Sequence, residues 1–316
     1  MSDAGAYRVE ARAPAKVNLH LGVGARRPDG FHELITVYQA VSLFDEVALE
    51  PASRLSCRVD GEGAAAVPRG NDNLAVRAVR AVAALAGALP KVRITVRKTI
   101  PVAAGLAGGS ADAAAALVAA DAFFGAGLSR STLLQLASGL GSDVPFCLLG
   151  GTAVGTGRGE VVSPALSRGE YRWVLALAEQ GLSTPVAYAE LDRLRAGGHP
   201  DAVGPPDAVL AAVRAADVVG LGRGLGSDLQ AAAVSLRPGL RRVLDAGREL
   251  GAVGGVVSGS GPTVALLARD NVEATRIAAV LAGMGVCRTV RRAHGPVPGA
   301  RLIDESALRA RDGQLR

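Results

Sequence analysis

The segment Pro101-Val102-Ala103-Ala104-Gly105-Leu106-Ala107-Gly108-Gly109-Ser110-Ala111-Asp112 constrains this chain most. It follows the strand-like run Val92–Lys98 and opens into the alanine-rich, helix-like run Ala113–Phe124. A strand, a glycine-rich turn and a helix N-terminus together form a cradle for an anion. Glycines let the backbone approach without a Cβ in the way. The first helical N–H groups have no partner within the helix, and the helix dipole adds to their attraction for negative charge. A nucleotide is the first ligand this pattern suggests; a purely structural helix cap fits a lone loop equally well.

The loop is not a Walker A motif, because it lacks G-x-x-x-x-G-K-[ST] and no lysine follows Lys98. Nor is it G-x-G-x-x-G, because its glycines fall at 105, 108 and 109. Ser110, at the helix start, has a hydroxyl suited to capping the helix, or to touching a phosphate or Mg²⁺. A second glycine turn, Val257-Ser258-Gly259-Ser260-Gly261-Pro262-Thr263, lies between two apolar runs. Alone it reads as a tight hairpin; paired with the first, it closes over the same anion.

Only three of the 35 basic residues are lysines: Lys16, Lys91 and Lys98. Each therefore draws attention, since arginine does not reproduce a compact ammonium charge. Lys16 and Asn18 share one face of the strand-like run Val17–Val23 by period-two alternation, as they would on any solvated strand face. In Gly141-Ser142-Asp143-Val144-Pro145-Phe146, Asp143 sits either in a self-bonded turn or at the edge of a cleft. Phosphoryl transfer to an alcohol needs a proton acceptor, a positive group and Mg²⁺. Asp143 and Lys16 suit the first two roles, although spacing alone does not bring them together.

At 316 residues the chain is long enough for two domains, and its 49% apolar but only 3% aromatic content predicts a core of Ala, Val and Leu. Residues 7–50 and 56–60 read as strands. A helix over 74–87 follows Asn71-Asp72-Asn73, another runs from Ser129 to Ser138 and is ended by Gly139 and Gly141, and Cys147–Val154 reads as a strand. Further on, 173–178, 254–257, 263–268 and 286–293 read as strands. Helices are predicted at 186–195, 206–216, 239–250 and 271–284. Residues 296–316 read as a mobile tail. The order fits an α+β arrangement of helices on mostly antiparallel sheets.

The net charge of +6 suits anionic substrates and offers only weak support for nucleic acid. Arginines are scattered, the nearest cluster being Arg288, Arg291 and Arg292, and few aromatics are available to stack bases. The three cysteines, Cys57, Cys147 and Cys287, form no CxxC pair and read as small buried hydrophobes. The first ten residues do not resemble a signal peptide, and no run is apolar enough to span a membrane, so a cytoplasmic location is expected.

Three segments in order resemble the motifs of the GHMP kinase superfamily: Pro14-Ala15-Lys16-Val17-Asn18-Leu19, Pro101–Ala111, and Val257–Thr263. The resemblance spans about residues 8–293. Three further segments, Arg27–Leu34, Gly141–Phe146 and Gly150–Ala153, resemble a branch acting on a cytidine-diphosphate-linked polyol. This implies ATP- and Mg²⁺-dependent phosphorylation of the 2-hydroxyl of that small molecule, on the mevalonate-independent route to isoprenoid precursors. It implies a two-domain fold, residues 1–165 and 166–295, with the active site in the cleft between them. By position, Asp143 is the base and Lys16 its partner. Pro101, Val102, Ala103, Ala104, Gly105, Leu106, Ala107, Gly108, Gly109, Ser110 and Ala111 hold the ATP phosphates, with Ser110 toward the metal. Asn18 and His32 bond the cytidyl group, while Phe31 and Tyr188 stack on opposite faces of its base. Ala107 and Ala111 replace a glycine and a serine usual in the loop, and Ala107 is expected to tolerate its backbone angle. Asp228, in Gly226-Ser227-Asp228-Leu229, receives no role. Homoserine- or mevalonate-type kinases, a catalytically silent sensor and a nucleic-acid-binding module are the competing readings. Asp29-Gly30-Phe31-His32 argues against the first, and retention of Lys16 and Asp143 against the second. Net charge alone favours the third.

Overall fold

Two long apolar strands, β1 (Val9–Arg26) and β2 (His32–Pro51), pair antiparallel around the Pro28–Gly30 turn. The computed structural model describes residues 7–198 and 202–303. β3 (Ser56–Gly61) runs parallel to β4 (Val92–Lys98), which pairs with the far end of β2. Between them, α1 (Leu74–Leu85) begins at Asn73, whose Oδ1 accepts from the Ala75 and Val76 amides at 2.8 and 3.3 Å. This cap satisfies two of the N–H groups that a helix start leaves unpaired.

α2 (Gly108–Phe124) lies along β1 and β2 and beside α1. Its run of fully buried alanines, from Ala113 to Ala116 with Ala119 and Ala120, explains how an aromatic-poor chain closes its core. Small side chains let neighbouring backbones come close, so area is buried without bulk. α3 (Arg130–Leu140), α4 (Val144–Leu149), β5 (Thr152–Gly157) and β6 (Val161–Pro164) complete this half.

The second sheet has the order β11–β7–β10–β9, antiparallel throughout. It comprises β7 (Tyr171–Leu177), β9 (Gly254–Val257), β10 (Val264–Ala268) and β11 (Thr289–Gly295). Its helices are α5 (Thr184–Ala196), α6 (Asp207–Ala215), α7 (Val218–Gly224), α8 (Leu229–Leu236), α9 (Gly239–Glu249) and α10 (Asn271–Gly283). The two sheets meet where the buried Trp173 Nε1 donates to Gln39 Oε1 at 2.9 Å. Two short strands return to the first sheet: β8 (Gly226–Ser227) runs parallel to β1, and β12 (Arg301–Leu302) runs antiparallel to it.

The α+β layout agrees with the sequence reading but differs from it in places. Cys147–Val154 is not one strand: α4 ends at Gly150, and β5 starts at Thr152. Pro145 sits in the first helical turn, where its missing N–H costs nothing. α7, β8 and α8 carry too weak a pattern to be predicted, because their Gly and Ala match no clear period. Residues 296–303 are not a tail. Val297 is buried and donates its N–H to Ala40 O at 3.2 Å, Pro298 bridges to Gly150, and β12 completes the sheet. Residues 304–316 lie outside the described part. Of the cysteines, only Cys147 is fully buried; Cys57 and Cys287 are half-buried. The Arg288–Arg292 cluster is tied down locally: Arg288 and Arg291 pair with Glu62, and Arg292 bonds Thr275.

Candidate active site

The glycine-rich loop lies where β1, β4, α2 and the second glycine turn converge. Gly105 has φ +75°, and a side chain there would collide with the carbonyl oxygen of Ser258. Ser258 Oγ donates to Gly105 O at 3.0 Å, and the Lys16 amide donates to Leu106 O at 3.2 Å. The two glycine turns, far apart in sequence, therefore form one wall.

The wall borders a cavity of about 610 Å³. Ala103, Ala104, Gly105, Ala107, Gly108, Gly109 and Ser110 face it. The remaining loop residues do not. Pro101 and Val102 line a smaller cavity of about 230 Å³ on the other side of the loop, and Leu106 and Ala111 are fully buried. The loss of a hydroxyl at Ala111 thus falls on a core position.

Ala107 adopts φ +61°, ψ +33° immediately before α2. This is left-handed backbone, which costs an L-residue roughly 1–2 kcal/mol. The residue is strained here rather than indifferent. Ala107→Gly should stabilise the protein by about 0.5–1 kcal/mol once the extra freedom of glycine in the unfolded chain is subtracted. A urea midpoint unchanged or lowered would contradict this.

Beneath the loop lies a buried cluster absent from the sequence reading. Lys98 Nζ donates to Asp45 Oδ2 and, at 2.7 Å, to Asp112 Oδ2. Asp45 Oδ1 also accepts from the Thr99 and Ile100 amides at 2.6 and 2.8 Å. These bonds fix the end of β4 to the first turns of α2, and so set the height of the loop. The scarcity of lysine was the only signal in the sequence. Burial works against the Lys98 charge, but Asp112 and Asp45 more than offset it and raise its pKa. Asp112 is the less satisfied carboxyl, since its buried Oδ1 has no hydrogen-bond partner among the described residues. Burial pushes its pKa up to about 7 against the pull of Lys98.

Between the ordinary carboxyl value of 3.8 and about 7, the folded chain keeps a proton that the unfolded chain releases. Stability from this group falls as pH rises through that window. Asp112→Asn, which keeps the shape without titrating, should flatten the decline in urea midpoint between pH 4 and pH 7. An identical pH profile in the variant would exclude Asp112 as its source.

Against the second glycine turn, β1 and β2 present a continuous polar chain. Lys16 Nζ donates to Asn18 Oδ1 at 2.6 Å, Asn18 Nδ2 to Thr36 Oγ1 at 2.8 Å, and Thr36 Oγ1 to His20 O at 2.7 Å. Lys16 and Asn18 do share a face, but it is buried, with Lys16 only 3% exposed. Asp143 lies just before α4. Its Oδ1 accepts from Tyr38 OH at 3.1 Å, and its Oδ2 stands 3.9 Å from Lys16 Nζ. Burial first, and then the Asp143 charge, raise the Tyr38 pKa, so the phenol stays a donor. A half-exposed carboxylate, held by a phenol and faced by a buried ammonium, can accept a proton from an alcohol placed between them.

The far end of the cavity holds Phe31, His32 and Tyr188. His32 Nε2 pairs with Asp192 Oδ1 at 2.9 Å, and its ring stacks on Tyr188 at 5.1 Å and 24°. Phe31 is 52% exposed. All four substrate positions read from the sequence, Asn18, Phe31, His32 and Tyr188, line this one cavity, together with Lys16 and Asp143. Tyr38, Thr36 and Asp192 were missed. Nothing local marks them; they matter through partners more than a hundred residues away or across a strand pair.

Asp228 has a structural place instead. It accepts from the Val23 and Val203 amides at 2.7 Å each and pairs with Arg195 at 2.9 Å. It thus ties α5 and β1 behind the cavity.

Two family models match the chain: "GHMP kinases N terminal domain" over residues 73–151 and "GHMP kinases C terminal" over residues 209–287. A 4-diphosphocytidyl-2-C-methyl-D-erythritol kinase from Nocardia farcinica is 57% identical over 94% of this chain and 96% of that protein. One from Rhodococcus jostii is 56% identical over 95% and 96%. The chain belongs to the GHMP kinases, in their 4-diphosphocytidyl-2-C-methyl-D-erythritol kinase family. The family also accounts for the shape. A crystal structure of 4-(cytidine 5′-diphospho)-2C-methyl-D-erythritol kinase superposes with TM-score 0.73 at 35% identity, over 90% of this chain and 98% of that one. A homoserine kinase from Cytophaga hutchinsonii shares the fold, with TM-score 0.72 at 18% identity over 96% and 99%. Among the described residues, no helix is long and apolar enough to cross a membrane.

Proposed function

We propose that this chain is a cytoplasmic kinase that uses MgATP to phosphorylate the 2-hydroxyl of 4-diphosphocytidyl-2-C-methyl-D-erythritol, a step towards isoprenoid precursors. The observation that carries this reading is the Lys16–Asp143 pair at 3.9 Å, in a cavity bounded by the glycine-rich loop on one side and by Phe31, His32 and Tyr188 on the other. One end suits phosphates, the other a flat polar base, and the pair lies where an acceptor hydroxyl meets the donor.

Each group has a task. Backbone N–H groups at the start of α2 and the turn around Gly105 bind the phosphates of ATP. Ala103–Gly105 and Ala107–Ser110 are the contact residues, and Pro101, Val102 and the smaller cavity suit the nucleoside. Asp143 takes the hydroxyl proton as the new O–P bond forms and the bond from the γ-phosphorus to ADP breaks. Lys16 stabilises charge on the transferring group. Asn18 orients Lys16, His32 and Asn18 read polar edges, and Phe31 and Tyr188 supply apolar faces.

Mg²⁺ fits this site mainly through phosphate oxygens. No cluster of three His, Cys, Asp or Glu side chains suited to a metal occurs among the described residues, whereas Ser110 lines the cavity. Ser110 would hold the ion, which neutralises phosphate charge when bound. We take residues 1–165 and 166–295 as the two domains, with 296–303 belonging to the first.

The test is ADP release from MgATP with four acceptors: 4-diphosphocytidyl-methylerythritol, homoserine, mevalonate and galactose. Turnover should be confined to the first. No turnover with it, or equal turnover with another, overturns the reading.

A further inference from the structure

Arg158 lies outside the roles assigned above, yet it faces the same cavity. It sits in the tight turn between β5 and β6, flanked by Gly157 at φ +70° and Gly159 at φ +98°. Such angles let the turn reverse and project the side chain between its glycines. Glu160 fixes that projection. Its Oε2 accepts from the Arg158 amide at 2.6 Å, and its Oε1 faces Arg158 Nε at 3.5 Å. Arg158 Nη1 and Nη2 carry no hydrogen bond among the described residues.

The guanidinium carbon stands 4.9 Å from the centre of the Phe31 ring. The next residue, Gly159, packs so closely on Tyr38 that a side chain there would collide with the phenol oxygen. That oxygen bonds Asp143 at 3.1 Å. Arg158 therefore occupies the stretch between the base-binding end and the reacting end. Resting on the proposed function, an acceptor with its base at Phe31 and its hydroxyl at Asp143 must lay its two phosphates along this stretch. A guanidinium held at Nε, with two free terminal nitrogens, matches the paired oxygens of a phosphate.

We propose that Arg158 binds the diphosphate bridge of the acceptor and is a specificity-determining residue for it. Its stacking on Phe31 preorganises the fork, and Glu160 sets its direction. Arg26 also lines the cavity, where its Nε donates to Gly30 O at 3.2 Å and holds the Pro28–Gly30 turn; the contact with the Phe31 ring belongs to Arg158.

The test compares cytidine 5′-diphosphate with cytidine by calorimetric titration of the full chain, wild type against Arg158→Ala and Arg158→Lys. In Arg158→Ala the affinity for cytidine 5′-diphosphate should fall about tenfold or more, the affinity for cytidine should change less than about twofold, and ATP binding should persist. Arg158→Lys should restore part of the loss, since it keeps the charge but not the fork. Equal weakening of both ligands overturns the proposal, because Arg158 would then act only through Phe31; so does no weakening of either. Retained ATP binding separates these outcomes from misfolding. A wild type that binds uridine 5′-diphosphate as tightly as the cytidine compound sinks the cytidine reading instead. The ratio of diphosphate to nucleoside affinity still judges Arg158 in that case.

Discussion

Asp143→Asn is expected to lower kcat by about 10²- to 10⁴-fold, the range typical for loss of a positioned proton acceptor. Asparagine keeps the size of the side chain and an oxygen for the Tyr38 hydroxyl, so ATP affinity should stay within about twofold. Steady-state rates of ADP release, with ATP binding measured separately, check both halves. The phosphoryl-transfer transition state is loose, and little proton removal is needed early. A fall of less than about tenfold would mean that Asp143 only orients the hydroxyl. The KM for the acceptor distinguishes the cases further. A lost base leaves ground-state binding intact, whereas a lost orienting contact raises KM as well.

The second large effect is expected at Lys98. Lys98→Met removes the only cation from a cluster in which the Asp45 and Lys98 side chains are 0% and 1% exposed. Removing one partner of a buried ion pair costs about 3–5 kcal/mol, because the remaining charge stays desolvated. Two carboxyls remain here, so the variant should regain stability relative to wild type as pH falls and they protonate. Urea denaturation of both proteins at pH 5 and pH 8 measures this. A difference below about 1 kcal/mol at pH 8 would show that water reaches the cluster. Because the cluster anchors the start of α2, any folded Lys98→Met protein should also show a raised KM for ATP. Asp45→Asn should act in the same direction, since Asp45 also holds the Thr99 and Ile100 amides.

Much of the site could be read from local chemistry. Glycine spacing excluded two common nucleotide loops, while only the resemblance to the GHMP kinases pointed to the Asp29-Gly30-Phe31-His32 turn as an acceptor-binding element. Lys16 and Asn18 shared a strand face by alternation alone. Other features depend on pairings between distant segments. Tyr38 looks like any strand aromatic until Asp143, 105 residues away, accepts a hydrogen bond from its hydroxyl. Asp45 and Asp112 look like surface carboxylates until β2, β4 and α2 bring them to Lys98. Residues 296–303 carry the two prolines and the glycine of a tail, and only the open edge of β1 shows that they belong to the sheet.

Whereas only the resemblance to the GHMP kinases grouped Lys16, Asn18, Phe31, His32 and Asp143, the sequence by itself determined most of the order of strands and helices and the glycine-rich loop ahead of α2. These follow from backbone freedom, side-chain period and residue chemistry, which act over a few neighbouring positions. Only the tertiary structure decided which loop residues face the cavity, that Lys16 is buried, and that Arg158 lines the same cavity as Phe31 and Asp143. Those properties depend on exposure and on distances across the cleft, and they arise only when the two sheets close around it.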